Sequence, residues 1–199
     1  MKPPATTHNP FDPGYYLSEE LRAFGFARVG EGSAIARNCT IIGLENITVG
    51  DHVRIDGYTS LIAASGSIRI GSQVHVGSHC LLGGRGGITL EDFASLSHGV
   101  RILSAIDDFS GRSLTNSTLP AHVLNVRTAP VVVGRYVPVG TGSVLLPGAA
   151  IGEGAAVAAL SLVTGPLAPW RIHAGNPVRD MGPRARDLLA LAAMIEPDA

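Results

Sequence analysis

The sequence predicts an all-β fold, a three-sided parallel β-helix, and three regularities carry that prediction. A branched aliphatic recurs at six-residue steps: Val133, Val139, Leu145, Ile151, Val157, Val163, and upstream Val29-Ile35-Ile41, Val49-Ile55-Leu61, Ile70-Val76-Leu82 and Leu90-Leu96-Ile102. All eighteen positions are Val, Ile or Leu. Four places after the aliphatic the residue is nearly always small, as at Ser33, Cys39, Thr59, Cys80, Ala94, Ser143, Ala155 and Ser161. The steps that break the rhythm run from 41 to 49, 61 to 70, 82 to 90 and 102 to 133, and each follows a block of three units. Three units therefore make one coil, and every insertion leaves from the same corner of a triangular prism. Neither helical periodicity nor simple alternation produces this pattern.

Six coils follow, stacked at about 4.8 Å into a prism about 29 Å long. Each coil hydrogen-bonds to its neighbours and adds one aliphatic layer to a continuous core. The small residue sits where two walls converge, and glycines after the aliphatic, such as Gly50, Gly71, Gly140 and Gly152, permit the sharp turns. Cys39 and Cys80 fall on the small inward position and read as core filler.

Outside the repeat, residues 1–28 form an N-terminal segment in which 17–24 reads as a short helix capped by Ser18. The β-helix spans 29–182 with one long loop at 107–131. Residues 183–199 carry a closing helix over 183–195, started by Pro183. Both helices are expected to cover the open strand edges at the prism ends.

Composition narrows the function. The net charge is −1 and charged residues make up 16% of the 199, without the basic excess that nucleic acid or an anionic membrane would require. An apolar content of 45% argues against disorder. The N-terminus lacks the apolar core of a secretory signal, and the longest apolar stretches, such as 155–163, are too short to span a bilayer. A soluble, cytoplasmic protein is expected. Two separated cysteines supply neither a disulfide framework nor a zinc motif.

The hexapeptide array, the long loop after the fourth coil, and the ending Ala174-Gly-Asn-Pro-Val-Arg179 together resemble the hexapeptide-repeat acyltransferases. The segment from Pro138 to Gly154, continued to that ending, is similar to galactoside and maltose O-acetyltransferases and to the sugar acyltransferases of lipopolysaccharide and capsule synthesis. The resemblance implies a left-handed coil, a homotrimer with its sites between prisms, and acetyl-CoA or another acyl-coenzyme A as co-substrate without a required metal. It implies that Thr141, Ala159 and Thr164 line the pantetheine and that Arg179 meets a coenzyme A phosphate. Trp170 and Arg171 stand either near the adenine or, for Trp170, as a cap on the last coil. Spacing adds that Thr141 and Ala159 lie eighteen residues apart, one above the other on adjacent coils, with His98 one coil below.

The chemistry needs a nucleophile, an acceptor for its proton and donors for the developing oxyanion. Family members acting on hydroxyls carry a histidine just after the coil that precedes the loop; here Asp107 stands at or beside that place, with Asp108 next to it. An amino-sugar acceptor needs a strong base less, with the aspartates orienting it. A hydroxyl acceptor requires a histidine from elsewhere, and His98, His79, His75 and His122 are candidates. His75, His79 and Arg85 of the Gly83–Gly87 stretch are candidate substrate ligands, Arg85 for a phosphate or carboxylate. Two other readings are a γ-carbonic-anhydrase-like zinc enzyme using His75, His79 and His98, and a non-catalytic scaffold. Against the first, His75 and His79 are four apart where that class pairs histidines five apart. Against the second, a loop of about twenty-five extra residues stands at the expected site.

Overall fold

The structure is a computed structural model that describes residue 9 and residues 11–195; the remainder of the segments expected at 1–28 and 183–199 lies outside the described residues. The chain winds as a left-handed parallel β-helix with three walls. The first wall runs through Arg28–Val29, Ile47–Val49, Ile68–Ile70, Ile88–Leu90, Val131–Val133, Ala150–Ile151 and Pro166–Leu167. The second wall runs through Ala34–Ala36, Arg54–Ile55, His75–Val76, Ser95–Leu96, Pro138–Val139, Ala156–Val157 and Arg171–Ala174. The third runs through Thr40–Ile42, Ser60–Ile62, Leu81–Gly83, Arg101–Leu103, Val144–Leu145 and Leu162–Val163.

The six-step aliphatics stand in register, so that Ile35, Ile55, Val76, Leu96, Val139 and Val157 are successive neighbours on the second wall. All eighteen except the partly exposed Ile41 are buried. At the corners the small residues satisfy themselves: the Ser33 hydroxyl donates to the Gly50 carbonyl, Thr59 to Gly77, and Ser143 to Ala158. Burial pushes the Cys80 thiol up to about 11 and raises Cys39 as well, which keeps both un-ionised in the core.

A seventh, partial coil extends the six expected. Leu167 joins the first wall and His173 takes the inward place beneath Val157. His173 is buried, with Nε2 3.2 Å from the Ala168 carbonyl. The six-residue step misses this coil because the corner before Leu167 is shortened and because the inward residue is not aliphatic.

The ends also differ from expectation. Tyr15–Leu17 pairs antiparallel with Ala34–Ala36 and extends the second wall. Helix α1 (Ser18–Ala23) is preceded by Leu17, so Ser18 is not its cap. The Ser18 hydroxyl instead bridges the backbone N–H and C=O of Ser33, while the Leu17 N–H donates to the Glu20 carboxylate. At the far end Arg179–Pro183 folds back antiparallel on Arg171–Ala174, so Pro183 ends a strand. Helix α2 is confined to Leu188–Ala192. Pairing the last exposed edge wins over helix initiation because an open edge leaves backbone groups unpaired.

All insertions leave between the third and first walls, as the spacing requires. The long one begins and ends earlier than 107–131. Ala105–Asp107 pairs antiparallel with Val126–Thr128, and Val131 already belongs to the buried first wall.

Candidate active site

Two groups of sequence-selected residues emerge, on opposite edges of the third wall. The first lies at the corner between the second and third walls. Register places Gly57, Ser78, His98, Thr141, Ala159 and Gly175 in one column, one residue per coil. Backbone bonds fix the stacking: Gly142 N–H donates to the His98 carbonyl, Leu160 N–H to Thr141, and Leu162 N–H to Gly175. Thr141 and Ala159 are exposed. Beside them Gly140 is mandatory, since a Cβ there would lie 2.3 Å from the Ala159 nitrogen. The column ends at the Gly175–Val178 turn, where Asn176–Pro177 is cis and Val178 N–H donates to the Leu162 carbonyl. Arg179 follows, exposed. Thr164 stands apart from this column, across the third wall beyond Val163.

His98 is held in a defined way. The backbone N–H of Ser78 donates to Nδ1 at 3.0 Å, and the Ser78 hydroxyl lies 2.8 Å from the same nitrogen. A backbone amide can only donate, so Nδ1 is the acceptor and the neutral ring carries its proton on Nε2. His98 therefore offers an outward N–H donor. A general base acting through Nε2 would need the opposite tautomer, which this bond disfavours.

His79 packs parallel on Tyr58, with ring centroids 5.0 Å apart and planes 5° from parallel. His75 lies on the second wall with Nε2 2.9 Å from Asp56. The three histidines thus have separate engagements. Among the described residues no group of three metal-binding side chains gathers.

The second group sits where the long loop leaves. Asp107, half-buried, lines a cleft of about 260 Å³ with Arg85, Ile106, Ser117, Leu124 and Val126. The Arg85 side of that cleft is set by the Ser104 hydroxyl, which donates to the Gly83 carbonyl and accepts from Gly86 N–H. Asp108 is engaged within the loop itself. Its carboxylate accepts from Ser110 N–H, the Ser110 and Ser113 hydroxyls and the Asn125 amide, which hold its pKa below the usual range. It organises the loop's own turn. His122 sits in the single 3₁₀ turn of the loop, exposed. Trp170 and Arg171 lie away from the column: Trp170 covers Gly154 and is covered by Arg186, while Arg171 pairs with Asp180.

A triangular prism of hexapeptide coils with a small-residue column and a loop-borne carboxylate defines an acyltransferase of the hexapeptide-repeat class. No protein-family model matches the chain. The chain is 33% identical over 185 residues to the dTDP-4-amino-4,6-dideoxy-D-glucose acyltransferase of Escherichia coli, spanning 92% of this chain and 96% of that protein. It is 25% identical over 165 residues to the putative lipopolysaccharide biosynthesis O-acetyl transferase WbbJ of Escherichia coli K12, covering 72% and 78%. Its fold superimposes on AntD, an N-acyltransferase from Bacillus cereus solved with dTDP and coenzyme A, with a TM-score of 0.87 at 37% identity over 92% and 97% of the two chains. The chain belongs to the hexapeptide-repeat sugar acyltransferases and is an acyl-CoA-dependent acyltransferase.

Proposed function

We propose that this enzyme N-acylates a nucleotide-linked 4-amino-4,6-dideoxy sugar in the cytoplasm, for a surface polysaccharide or a related glycosylated product, at grooves between the copies of a homotrimer. One observation carries the choice of acceptor. AntD has been solved with dTDP-4-amino-4,6-dideoxyglucose and coenzyme A in forms altered at a serine, and with dTDP and coenzyme A in forms altered at an aspartate ten residues further along its sequence. In this chain a serine is followed ten residues later by an aspartate once, at Ser97 and Asp107. Asp107 stands at or beside the place where hydroxyl-acylating relatives keep a histidine. Ser97 stands on the second wall, half-exposed, one residue beyond buried Leu96 and one before His98. Composition and periodicity gave no reason to single it out.

The character of the walls supports the assembly. The outer face of the third wall is largely apolar, with Ile42 and Ile62 exposed and Leu81, Leu103, Val144, Leu146 and Leu162 half-buried, while Thr40 and Arg101 stand exposed along its edge toward the second wall. The first wall carries Arg28, Thr48, Arg69 and Thr89 there instead. Three prisms turning their third walls to a common axis cover the apolar face. Each groove then sets the His98–Thr141 column of one copy against the Asp107–Arg85 cleft of the next.

In that groove Thr141, Ala159 and Arg179 hold the coenzyme A arm and phosphate, and Thr164, at the opposite edge of the third wall, reaches the groove from the neighbouring copy. The free amine attacks the thioester carbonyl; the C–N bond forms, the C–S bond breaks, and the amine's proton ends on the coenzyme A thiol. Asp107 and Ser97 orient the amine, and the Nε2–H of His98 donates to the carbonyl oxygen as it gains charge. Arg85 and His75 face the rest of the acceptor.

The test is a panel of acyl-CoA donors with matched amino and hydroxyl sugar nucleotides. Transfer to the amino sugar, lost at least a hundredfold in Asp107→Asn with the KM for acyl-CoA unchanged, is the expected result. O-acylation alone would refute the assignment of the acceptor.

A further inference from the structure

At the corner that carries the coenzyme A column, the residues one place further along form a second column: Asn38, Tyr58, His79, Gly99, Gly142 and Leu160. All except Asn38 adopt the left-handed region, with φ of 60° at Tyr58, 61° at His79 and 58° at Leu160. Glycine suits that conformation and a side chain pays for it in strain. Coils four and five use glycine there, yet coils two and three carry a tyrosine and a histidine, stacked face to face. The same backbone device recurs at the corner between the first and second walls, where Phe93 and Tyr136 stack. There the chain covers its own rings: Arg135 lies over both, and Tyr136 is buried. Tyr58 is 66% exposed.

The next step of the ladder is open. A Cβ on Gly99 would meet nothing nearer than the Gly142 nitrogen at 4.0 Å, so one face of the His79 side chain looks along a glycine floor. Two residues beyond Gly99, Arg101 is exposed and makes no ion pair among the described residues. Ser97 and His98 border the same floor.

We propose that the stacked pair Tyr58 and His79 is the platform for the nucleobase of the sugar-nucleotide acceptor, with Arg101 meeting its diphosphate. This rests on the nucleotide-sugar reading above. Position selects the occupant. The coenzyme A column runs from Arg179 at the seventh coil to His98 at the fourth, so its adenine lies toward the seventh. Tyr58 lies on the other side of the reacting end, two inter-strand steps or roughly 9.6 Å from the fourth coil. A pentose and a diphosphate bridge a gap of that order. Stacking on a flat ring is also tolerant of base identity, which leaves discrimination to the sugar end.

The experiment is calorimetric titration of thymidine diphosphate into the coenzyme A-loaded protein, with sedimentation of each sample. The variants Tyr58→Gly and His79→Gly keep the backbone conformation that Gly99 already adopts, and Tyr58→Trp restores a ring. Glycine variants are expected to weaken the nucleotide roughly tenfold or more while coenzyme A affinity holds, and Tyr58→Trp to recover it. Arg101→Gln should weaken thymidine diphosphate more than thymidine. Unchanged nucleotide affinity in the glycine variants would overturn the platform and leave the acceptor reading standing. Dissociation of the assembly without loss of nucleotide affinity would overturn it too, by assigning the rings to the subunit interface. A wild-type protein that binds coenzyme A but no nucleoside diphosphate would remove both.

Discussion

At Asp56 one carboxylate gathers three donors. Tyr15 from the N-terminal strand and Arg54 from the same coil share one oxygen, at 2.9 and 2.8 Å, and His75 from the next coil meets the other at 2.9 Å. Burial alone would raise its pKa, but the bonds from His75, Arg54 and Tyr15 outweigh burial and bring it from 3.8 to about 2. A lowered folded-state value contributes stability above the unfolded value, and that stability disappears as pH falls from about 4 through 2. The shift corresponds to at most about 2 kcal/mol at neutral pH. Asp56→Asn should therefore be destabilised relative to wild type in urea melts at pH 7, and the gap should close between pH 4 and 2. A gap that persists undiminished at pH 2 would mean that the asparagine loses packing rather than charge pairing. Residues of this kind are hard to read from sequence. Arg54, Asp56 and His75 lie twenty-one positions or fewer apart, but only the coil period shows that 54 and 75 are neighbours. Tyr15 lies outside the period altogether.

The elements were legible to the extent that they obeyed the six-residue step. Walls one to three, the corner that releases every insertion and the alignment of His98, Thr141 and Ala159 all followed from counting. The seventh coil did not, because His173 breaks the aliphatic rule and the step before Leu167 is short. From sequence alone the C-terminal strand at 179–183 looks like part of the repeat's ending and its last residue like a helix start, because proline suits both roles locally and only the open edge of Arg171–Ala174 decides between them. After that strand Arg184 does the joining. Its Nη1 donates to the carbonyls of Tyr136, Gly154 and Ala155 at 2.8, 3.0 and 3.0 Å, tying three points of one corner to the C-terminal segment. Arg186 over Trp170 and the buried Ala192 of α2 continue the contact. Removing the guanidinium takes a charged donor away from three carbonyls at a crowded corner, and hydrogen bonds to charged groups are worth roughly 1.5–3 kcal/mol. Arg184→Ala is expected to lower stability by about 2 kcal/mol in total and to speed proteolysis of the C-terminal segment. Equal melting and equal protection would show that the segment is held by the apolar contacts alone.

For the whole molecule, the prism separates the pieces that the proposed chemistry requires together. Ser97 and His98 precede the strand Arg101–Leu103, and Asp107 follows it, so the third wall stands between them. In the proposed ring, Ser97 of one copy works with Asp107 of the next. This has a consequence that single-chain catalysis cannot imitate. Ser97→Ala and Asp107→Asn homotrimers should each be nearly inactive, because every groove lacks one group. Co-expressed in equal amounts, they assemble into trimers of which about three-quarters are mixed, and cyclic symmetry gives each mixed trimer one groove with both groups intact. One groove in three, in three-quarters of the trimers, predicts recovery of about a quarter of wild-type turnover, with a normal KM for both substrates. The mixture should give this value only when the two chains are co-assembled, not when finished homotrimers are combined for a short time. Activity no greater than the sum of the two parents would place Ser97 and Asp107 of the same copy in one site, and the intersubunit groove would have to be abandoned.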